Sequence, residues 1–157
     1  MKKAAILLAA LLVICAASAS LAWDPAKQKS LGQDHVKMTW YILDYGRESG
    51  VPFVVARKYY TNESIKQDTI DLLMSKYGLA PDLAGSLYFT EYRYVYSPDG
   101  KQFAVDYLRH YDMLGEEIHG TVYDGATEAT RKTFALVDPK STPGKGIALL
   151  TGSEKKK

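Results

Sequence analysis

The chain has 157 residues, with 20 Lys and Arg against 18 Asp and Glu and a formal net charge of +2. Two of the basic residues, Lys2 and Lys3, lie at the N-terminus, so the rest of the chain is electrically balanced. This balance excludes the electrostatic footprint of a nucleic-acid-binding protein. The single cysteine, Cys15, excludes an internal disulfide, so the fold must depend on an apolar core.

Residues 1–22 have the features of a signal peptide. Two lysines precede an apolar run over residues 4–17, and small residues follow it. The run is shorter than the roughly 20 residues that a membrane-spanning helix needs, so we expect cleavage and no membrane span in the mature chain. The small-residue pattern permits a cut after Ala19 or after Ala22. We therefore expect an exported protein, in the periplasm, at the cell surface or outside the cell.

The composition divides the remaining chain into three parts. Residues 23–35 are polar, contain a proline and a glycine, and are predicted to form a linker. Residues 36–151 are predicted to form a single α+β domain. Residues 152–157 contain three lysines and are predicted to form a basic disordered tail.

Two strands are predicted at the start of the domain. Residues 35–43 alternate in polarity, which is typical of a strand. One side of this strand carries Val36, Met38, Trp40 and Ile42, and the other carries Lys37, Thr39 and Tyr41. Residues 44–50 supply turn residues, and residues 51–60 are the second predicted strand, with Pro52 confined to its start.

The clearest predicted helix covers residues 63–77. Asn62 or Ser64 is the candidate N-cap, and Ser64 with Gln67 forms a capping-box pattern. Gly78 follows the last apolar position, where a left-handed residue ends many helices.

A tyrosine-rich hairpin follows this helix. Residues 88–96 form a predicted strand, and residues 101–111 return after a Ser-Pro-Asp-Gly turn. A two-residue turn would pair Tyr94 with Phe103, whereas a bulged turn would pair Ser97 with Lys101. Both registers remain open.

The last predicted elements complete an antiparallel meander. A turn at residues 112–115 leads to a strand through Ile118 and Val122. Residues 125–139 are either a strand or a short helix, and a short C-terminal helix is predicted to begin near Pro143. The expected class is α+β, an antiparallel β-sheet meander with one main helix packed on one face and a short C-terminal helix.

The tyrosines are the candidate binding residues. Tyr88, Tyr92, Tyr94 and Tyr96 are predicted to share one face of their strand. Tyrosine suits contact surfaces, because its large ring carries a polar tip, and it equally suits a sheet face covered by a helix. If the main helix packs on the face that carries these tyrosines, they belong to the core. If it packs on the opposite face, they are exposed and can bind a partner.

The histidines give a second candidate site. His110 and His119 lie on either side of Asp112, Glu116 and Glu117, but their spacing is not a zinc-binding pattern. No serine lies in the sequence context of a catalytic nucleophile. We therefore expect no metal, no cofactor and no enzymatic activity. The alternative is a small periplasmic metal-dependent or hydrolytic enzyme around His110 and His119.

Several short motifs in this order resemble the bacterial surface-adhesin protein E family. They are the leader, a strand with Trp40, the polar-aromatic strand at residues 88–96, the Tyr-Asp-x-x-Gly turn at 111–115 and the Pro-Lys-Ser stretch at 139–141. The resemblance implies a secreted or surface-attached α+β protein, with adhesion to host matrix proteins in some members. The sequence thus predicts an exported non-enzymatic cell-envelope or surface protein that binds a host or envelope protein through its tyrosine-rich sheet face.

Overall fold

The computed structural model describes residues 28–154. The predicted signal peptide at residues 1–22 and the first part of the predicted linker, residues 23–27, lie outside the described residues, and so do residues 155–157. In the described part of the chain, none of the helices is both long enough and apolar enough to cross a bilayer.

Most of the described chain forms one antiparallel sheet, and the predicted α+β class is confirmed. The strands are β1 Lys29–Gln33, β2 Thr39–Glu48, β3 Val51–Tyr59, β4 Phe89–Tyr96, β5 Gln102–Tyr111, β6 Glu117–Val122 and β7 Ala135–Leu136. The first six lie in chain order, as in the predicted meander, and β7 pairs with β5. The α-helices are α1 Glu63–Tyr77, α2 Pro81–Gly85 and α3 Thr142–Glu154.

The first strand lies inside the segment that was predicted to be a polar linker, so this prediction was wrong for residues 29–33. β1 pairs with β2 through a tight turn, in which the Asp34 carboxylate accepts hydrogen bonds from the backbone N–H groups of Val36 and Met38. Trp40 Nε1 donates to the same carboxylate over 2.8 Å. A polar edge strand of this kind is held in place by its turn and by backbone hydrogen bonds. It needs no alternation of apolar and polar residues, so the sequence pattern did not reveal it.

The second strand is displaced from its prediction: it begins at Thr39 and not at residue 35, and it continues through most of the predicted turn to Glu48. A bulge at Leu43 shifts the alternation of the strand, because Ile42 pairs with Ala56 and Asp44 pairs with Val55. The turn is the two-residue pair Ser49 and Gly50, which both have positive φ angles, as a tight hairpin requires.

The tyrosine-rich hairpin has neither of the two predicted registers. Tyr96 pairs with Phe103 and Tyr94 pairs with Val105, and a bulge lies between Arg93 and Tyr94. The loop is longer than a two-residue turn, since Ser97 donates from its backbone N–H to the carbonyl oxygen of Gln102. Asp106 is the extra residue of this bulge, so Tyr107 lies on the opposite face from Val105 and pairs with Arg93.

The main helix has the predicted bounds. Asn62 Oδ1 accepts hydrogen bonds from the backbone N–H groups of Ser64 and Ile65, and Gly78 ends the helix in the left-handed conformation. An N-cap of this kind contributes about 1 kcal/mol to helix stability. Ile70 and Leu73 are buried and belong to one cluster with Ala84 of α2 and Leu87.

The C-terminal segment contains more elements than predicted. Residues 125–139 hold both a 3-10 turn, Glu128–Thr130, and the two-residue strand β7. The predicted C-terminal helix is present as α3, and Ser141 Oγ accepts the backbone N–H of Gly144 at its start. α3 continues to Glu154, so the first three residues of the predicted tail, 152–154, are helical.

Both long helices pack on the same face of the sheet, which we call the covered face. At one end, α3 contacts β2 and β3, and the Tyr96 hydroxyl donates to the Pro143 carbonyl oxygen over 2.8 Å. At the other end, Tyr77 of α1 packs against His119 of β6, with ring centroids 4.2 Å apart. We call the opposite side the open face, because the α-helices of residues 28–154 leave it uncovered.

The packing of α3 on the covered face depends on a glycine. A Cβ atom built on Gly146 would lie 2.9 Å from Val54 Cγ1 and 3.3 Å from the Tyr96 hydroxyl. Gly152 lies in the same helix, and a Cβ atom there would meet nothing within 4 Å. The helix therefore approaches the sheet closely at Gly146.

We expect Gly146→Ala to reduce the free energy of unfolding by roughly 1–3 kcal/mol, because the added methyl group forces α3 away from the sheet. Gly152→Ala is the matched control and should be neutral or stabilising, since alanine is the better helix former. Urea denaturation of both variants measures the difference. Equal stability of the two variants would contradict the close packing at Gly146.

Candidate functional site

Three of the four predicted binding tyrosines lie on the covered face. Tyr94 is 5% exposed and Tyr96 is 2% exposed, and both belong to the central hydrophobic cluster with Trp40 and Val54. Tyr92 packs against this cluster, with its ring centroid 5.4 Å from that of Trp40. Burial raises the pKa of the Tyr94 hydroxyl well above its usual value. A displayed row was therefore the wrong alternative for these tyrosines, and they form core.

Tyr88 departs from the predicted row. It precedes the first residue of β4, so the alternation of the strand does not fix its side. Its ring contacts Tyr59 at 5.7 Å and Phe89 at 6.3 Å between centroids, and both of these residues lie on the open face. Tyr88 is 44% exposed, so it alone among the four predicted tyrosines is displayed.

The open face carries a groove at the end of the sheet where Tyr88 lies. Its volume is about 500 Å³, and we call it the tyrosine groove. It is lined by Gln28, Thr39, Tyr41, Tyr59, Thr61 and Tyr88. Tyr59 contacts Tyr41 and Tyr88 edge to face, each at 5.7 Å between ring centroids. Strands β2 and β3 and the residue that precedes β4 thus bring three aromatic rings together at an open surface.

Cross-strand pairing explains why these side chains meet. Thr39 of β2 lies directly opposite Tyr59 of β3, and Tyr59 lies directly opposite Phe89 of β4. Side chains opposite each other on one face of an antiparallel pair are close neighbours. The groove is therefore a consequence of the sheet register.

Arg57 makes two contacts that order the sheet surface beside the groove. Its guanidinium lies 4.0 Å from the centroid of the Phe89 ring and donates to Glu91 over 3.1 Å. Phe89 is 6% exposed beneath this cover, and its ring stacks on that of Tyr111 at 4.9 Å. Cation–π contact and a cross-strand ion pair together hold the sheet surface rigid next to the groove.

The charges further along the open face are also paired. Arg93 forms ion pairs with Glu48 and with Asp106, and Lys132 reaches Asp106 from the loop after β6. The Tyr107 hydroxyl donates to Glu91 over 3.0 Å. Opposite charges thus neutralise each other along the open face, and the lining of the groove is itself uncharged.

The two candidate histidines lie directly opposite each other in the sheet register and share the covered face. Their ring centroids are 6.3 Å apart, and His110 is 6% exposed. A buried chain of hydrogen bonds joins His110 Nδ1, the Thr90 hydroxyl and the Tyr60 hydroxyl, over 2.9 and 2.7 Å. Burial, and then the neighbouring His119 and Lys58, lower the pKa of His110 to about 4.

The carboxylates near the histidines are engaged elsewhere. Asp112 Oδ1 accepts the backbone N–H groups of Leu114 and Glu116, which fixes the β5–β6 turn. Glu117 pairs with Arg109 at 3.7 Å. Within residues 28–154, no three His, Cys, Asp or Glu side chains lie close enough together to hold a metal ion.

Sequence reasoning missed a half-buried lysine, Lys58, on the covered face. Lys58 Nζ lies 4.8 Å from the ring centroid of Tyr60, 5.6 Å from that of Tyr92 and 6.0 Å from that of Trp40. Aromatic faces attract cations, which offsets part of the cost of burying an ammonium group. The sequence did contain an indication of this position, because strand alternation places Lys58 on the same side of β3 as the apolar residues Val54 and Ala56.

A second cavity, of about 420 Å³, lies between β1 and the start of α3. Its lining includes Asp34 and Trp40, which form the turn described above, and Lys145, which donates to the Leu31 carbonyl oxygen over 3.4 Å. These contacts join β1 to α3. We therefore interpret this cavity as part of the structural junction.

Comparison with known protein families, with curated proteins and with solved structures finds no match to this chain. The resemblance to the surface-adhesin protein E family therefore stays a prediction. A proposal about function therefore rests on the residues of the site and on the sequence.

The depressed pKa of His110 predicts a specific pH dependence of stability. Its pKa is about 4 in the folded protein, against 6.5 for an unperturbed histidine, so between these values the unfolded chain binds the extra proton. The free energy of unfolding should fall by roughly 3 kcal/mol as the pH is lowered through this window, and this contribution should be constant below it.

Urea denaturation at a series of pH values measures this effect, with His110→Gln as the control. The variant should be less stable at neutral pH and should lack the slope that His110 contributes. An identical pH slope in both proteins would show that His110 is not held neutral by burial.

Proposed function

We propose that the protein is an exported, non-enzymatic binding module of the cell envelope or cell surface, and that it holds its partner in the tyrosine groove. The observation that carries the proposal is the cluster of Tyr41, Tyr59 and Tyr88 around an open cavity of about 500 Å³. This volume lies within the range of roughly 300–1,000 Å³ that is typical of ligand sites.

The chemistry of the groove supports a contact role. Tyrosine provides a large ring, a polar tip and few rotatable bonds, so it loses little entropy when a partner binds. Tyr88 is 44% exposed, whereas the aromatic side chains within the strands are half-buried or buried. The Arg57–Phe89 contact keeps the neighbouring surface in place before binding, which lowers the ordering cost of association.

The placement of the histidines supports the non-enzymatic part of the proposal. His110 is neutral at physiological pH and bonded to Thr90 inside the core. A general acid or base must reach the substrate, and a buried side chain with a pKa near 4 is unsuited to that role at neutral pH. These contacts give the His110 and His119 pair a structural role.

Export is supported by the N-terminal sequence. Residues 1–22 combine two lysines, an apolar run and small residues at two cleavage positions. The described residues contain no cysteine, so they fold without a disulfide in any redox compartment. We expect the partner to be a protein of the envelope or of a host surface, as the family resemblance also implies.

We expect Tyr88→Ala to weaken binding to a retained partner about tenfold or more, because an aromatic anchor at the centre of a contact carries much of the binding energy. Surface plasmon resonance on a panel of purified envelope proteins and host matrix proteins measures the affinity. The matched control is Tyr77→Ala, which removes a tyrosine that is 37% exposed on α1 and should leave the affinity unchanged.

The melting temperatures of both variants show whether each one folds. Equal affinity of the Tyr88→Ala variant and the unaltered protein would exclude the groove as the binding site. Failure of the whole panel to bind would contradict the proposed partner class.

The intact mass of the protein recovered from outside the cytoplasm tests export. We expect a mass that corresponds to cleavage after Ala19 or after Ala22, after expression of the complete chain. A full-length product that stays in the cytoplasm would overturn this part of the proposal.

A further inference from the structure

The lining of the tyrosine groove is uncharged, and this restricts the ligand. Arg57, whose guanidinium donates to the Tyr59 hydroxyl over 3.5 Å, is paired with Glu91 across the strands at 3.1 Å and covers Phe89. A charged ligand group would lose its hydration in the groove and would meet no counter-ion in the lining. The charge distribution therefore favours a neutral ligand.

The polar groups of the lining favour a ligand that both donates and accepts hydrogen bonds. The Thr39 and Thr61 hydroxyl oxygens are 3.4 Å apart, and the Thr61 hydroxyl also lies within hydrogen-bond distance of the Lys37 carbonyl oxygen. Gln28 adds an amide with donors and an acceptor. A purely apolar ligand would cover the Gln28 amide and the unused lone pairs of the threonine hydroxyls and would offer them no hydrogen bond.

The aromatic rings add apolar contact area in fixed orientations. The planes of Tyr41 and Tyr59 are inclined at 87°, and those of Tyr59 and Tyr88 at 80°. The groove thus presents ring faces and ring edges side by side. A ligand that fits has flat C–H surfaces for the rings and hydroxyl groups around its rim for the threonines.

We propose that the tyrosine groove binds a neutral sugar chain carried by a partner glycoprotein, an inference that rests on the proposed role of the groove as the binding site. Sugar rings combine an apolar C–H face with a rim of hydroxyl groups and need no charged residue for recognition. In this arrangement Tyr41, Tyr59 and Tyr88 contact the sugar rings, and Thr39, Thr61 and Gln28 bond the hydroxyl groups.

An array of immobilised neutral oligosaccharides, with their sialylated and sulfated counterparts, tests the ligand class. We expect neutral chains to bind and the charged counterparts to bind about tenfold more weakly or not at all. Tyr88→Ala should reduce binding about tenfold or more, and Tyr77→Ala should leave it unchanged.

Two conservative variants separate the ring from the hydroxyl contacts. Tyr88→Phe keeps the ring and should lose less affinity than Tyr88→Ala. Thr39→Val keeps the shape of the side chain, removes its hydroxyl group, and should weaken sugar binding about tenfold. Full affinity of the Thr39→Val variant would contradict recognition through this hydroxyl group.

Enzymatic removal of the glycans from a bound partner distinguishes the two proposals. Loss of binding after deglycosylation supports the sugar inference. Undiminished binding to the bare protein, still weakened by Tyr88→Ala, would overturn the sugar inference and keep the groove as a protein-binding site. Binding that is unaffected by Tyr88→Ala in both forms would overturn both proposals, and an array without any bound neutral chain would overturn the sugar inference alone.

Discussion

The contact between α3 and the sheet decides which side of this protein is core and which side is displayed. The Tyr96 hydroxyl donates to the Pro143 carbonyl oxygen, and Gly146 brings the helix close to Val54. Because side chains of a strand alternate between its faces, covering one set necessarily leaves the other set outside. The tyrosine groove is the consequence of this division, since Tyr41 and Tyr59 occupy the alternate positions.

The covered face also contains polar groups that a minimal core would not need. Lys58 lies among aromatic rings, and Thr90 bonds to both Tyr60 and His110. Removing one partner of such a network lowers the free energy of unfolding strongly, because the remaining polar group stays buried without a hydrogen bond. The intact network contributes less than this when it is compared with an apolar core. The charged side chains of the open face are paired between strands and remain partly hydrated, so they avoid most of the desolvation cost.

The sequence predicted the elements whose ends are set by local chemistry. The bounds of α1 were correct because the Asn62 cap and Gly78 act within a few residues of the helix ends. β1 was missed because a polar edge strand depends on backbone pairing and on the turn around Asp34. Both predicted hairpin registers were wrong because the loop between Ser97 and Gln102 is longer than either predicted turn, which the turn residues alone do not reveal. Alternation also placed Thr39 and Tyr41 on one side, but it could not show that this side is the displayed one.

The central claim is that the open face displays Tyr88 and that the covered face buries Tyr94 and Tyr96. Tyrosine nitration of the native protein, read residue by residue by mass spectrometry, tests it most directly. The account predicts rapid modification of Tyr88, and protection of Tyr94 and Tyr96 until the protein is unfolded. Modification of Tyr94 and Tyr96 as fast as that of Tyr88 in the native protein would contradict it.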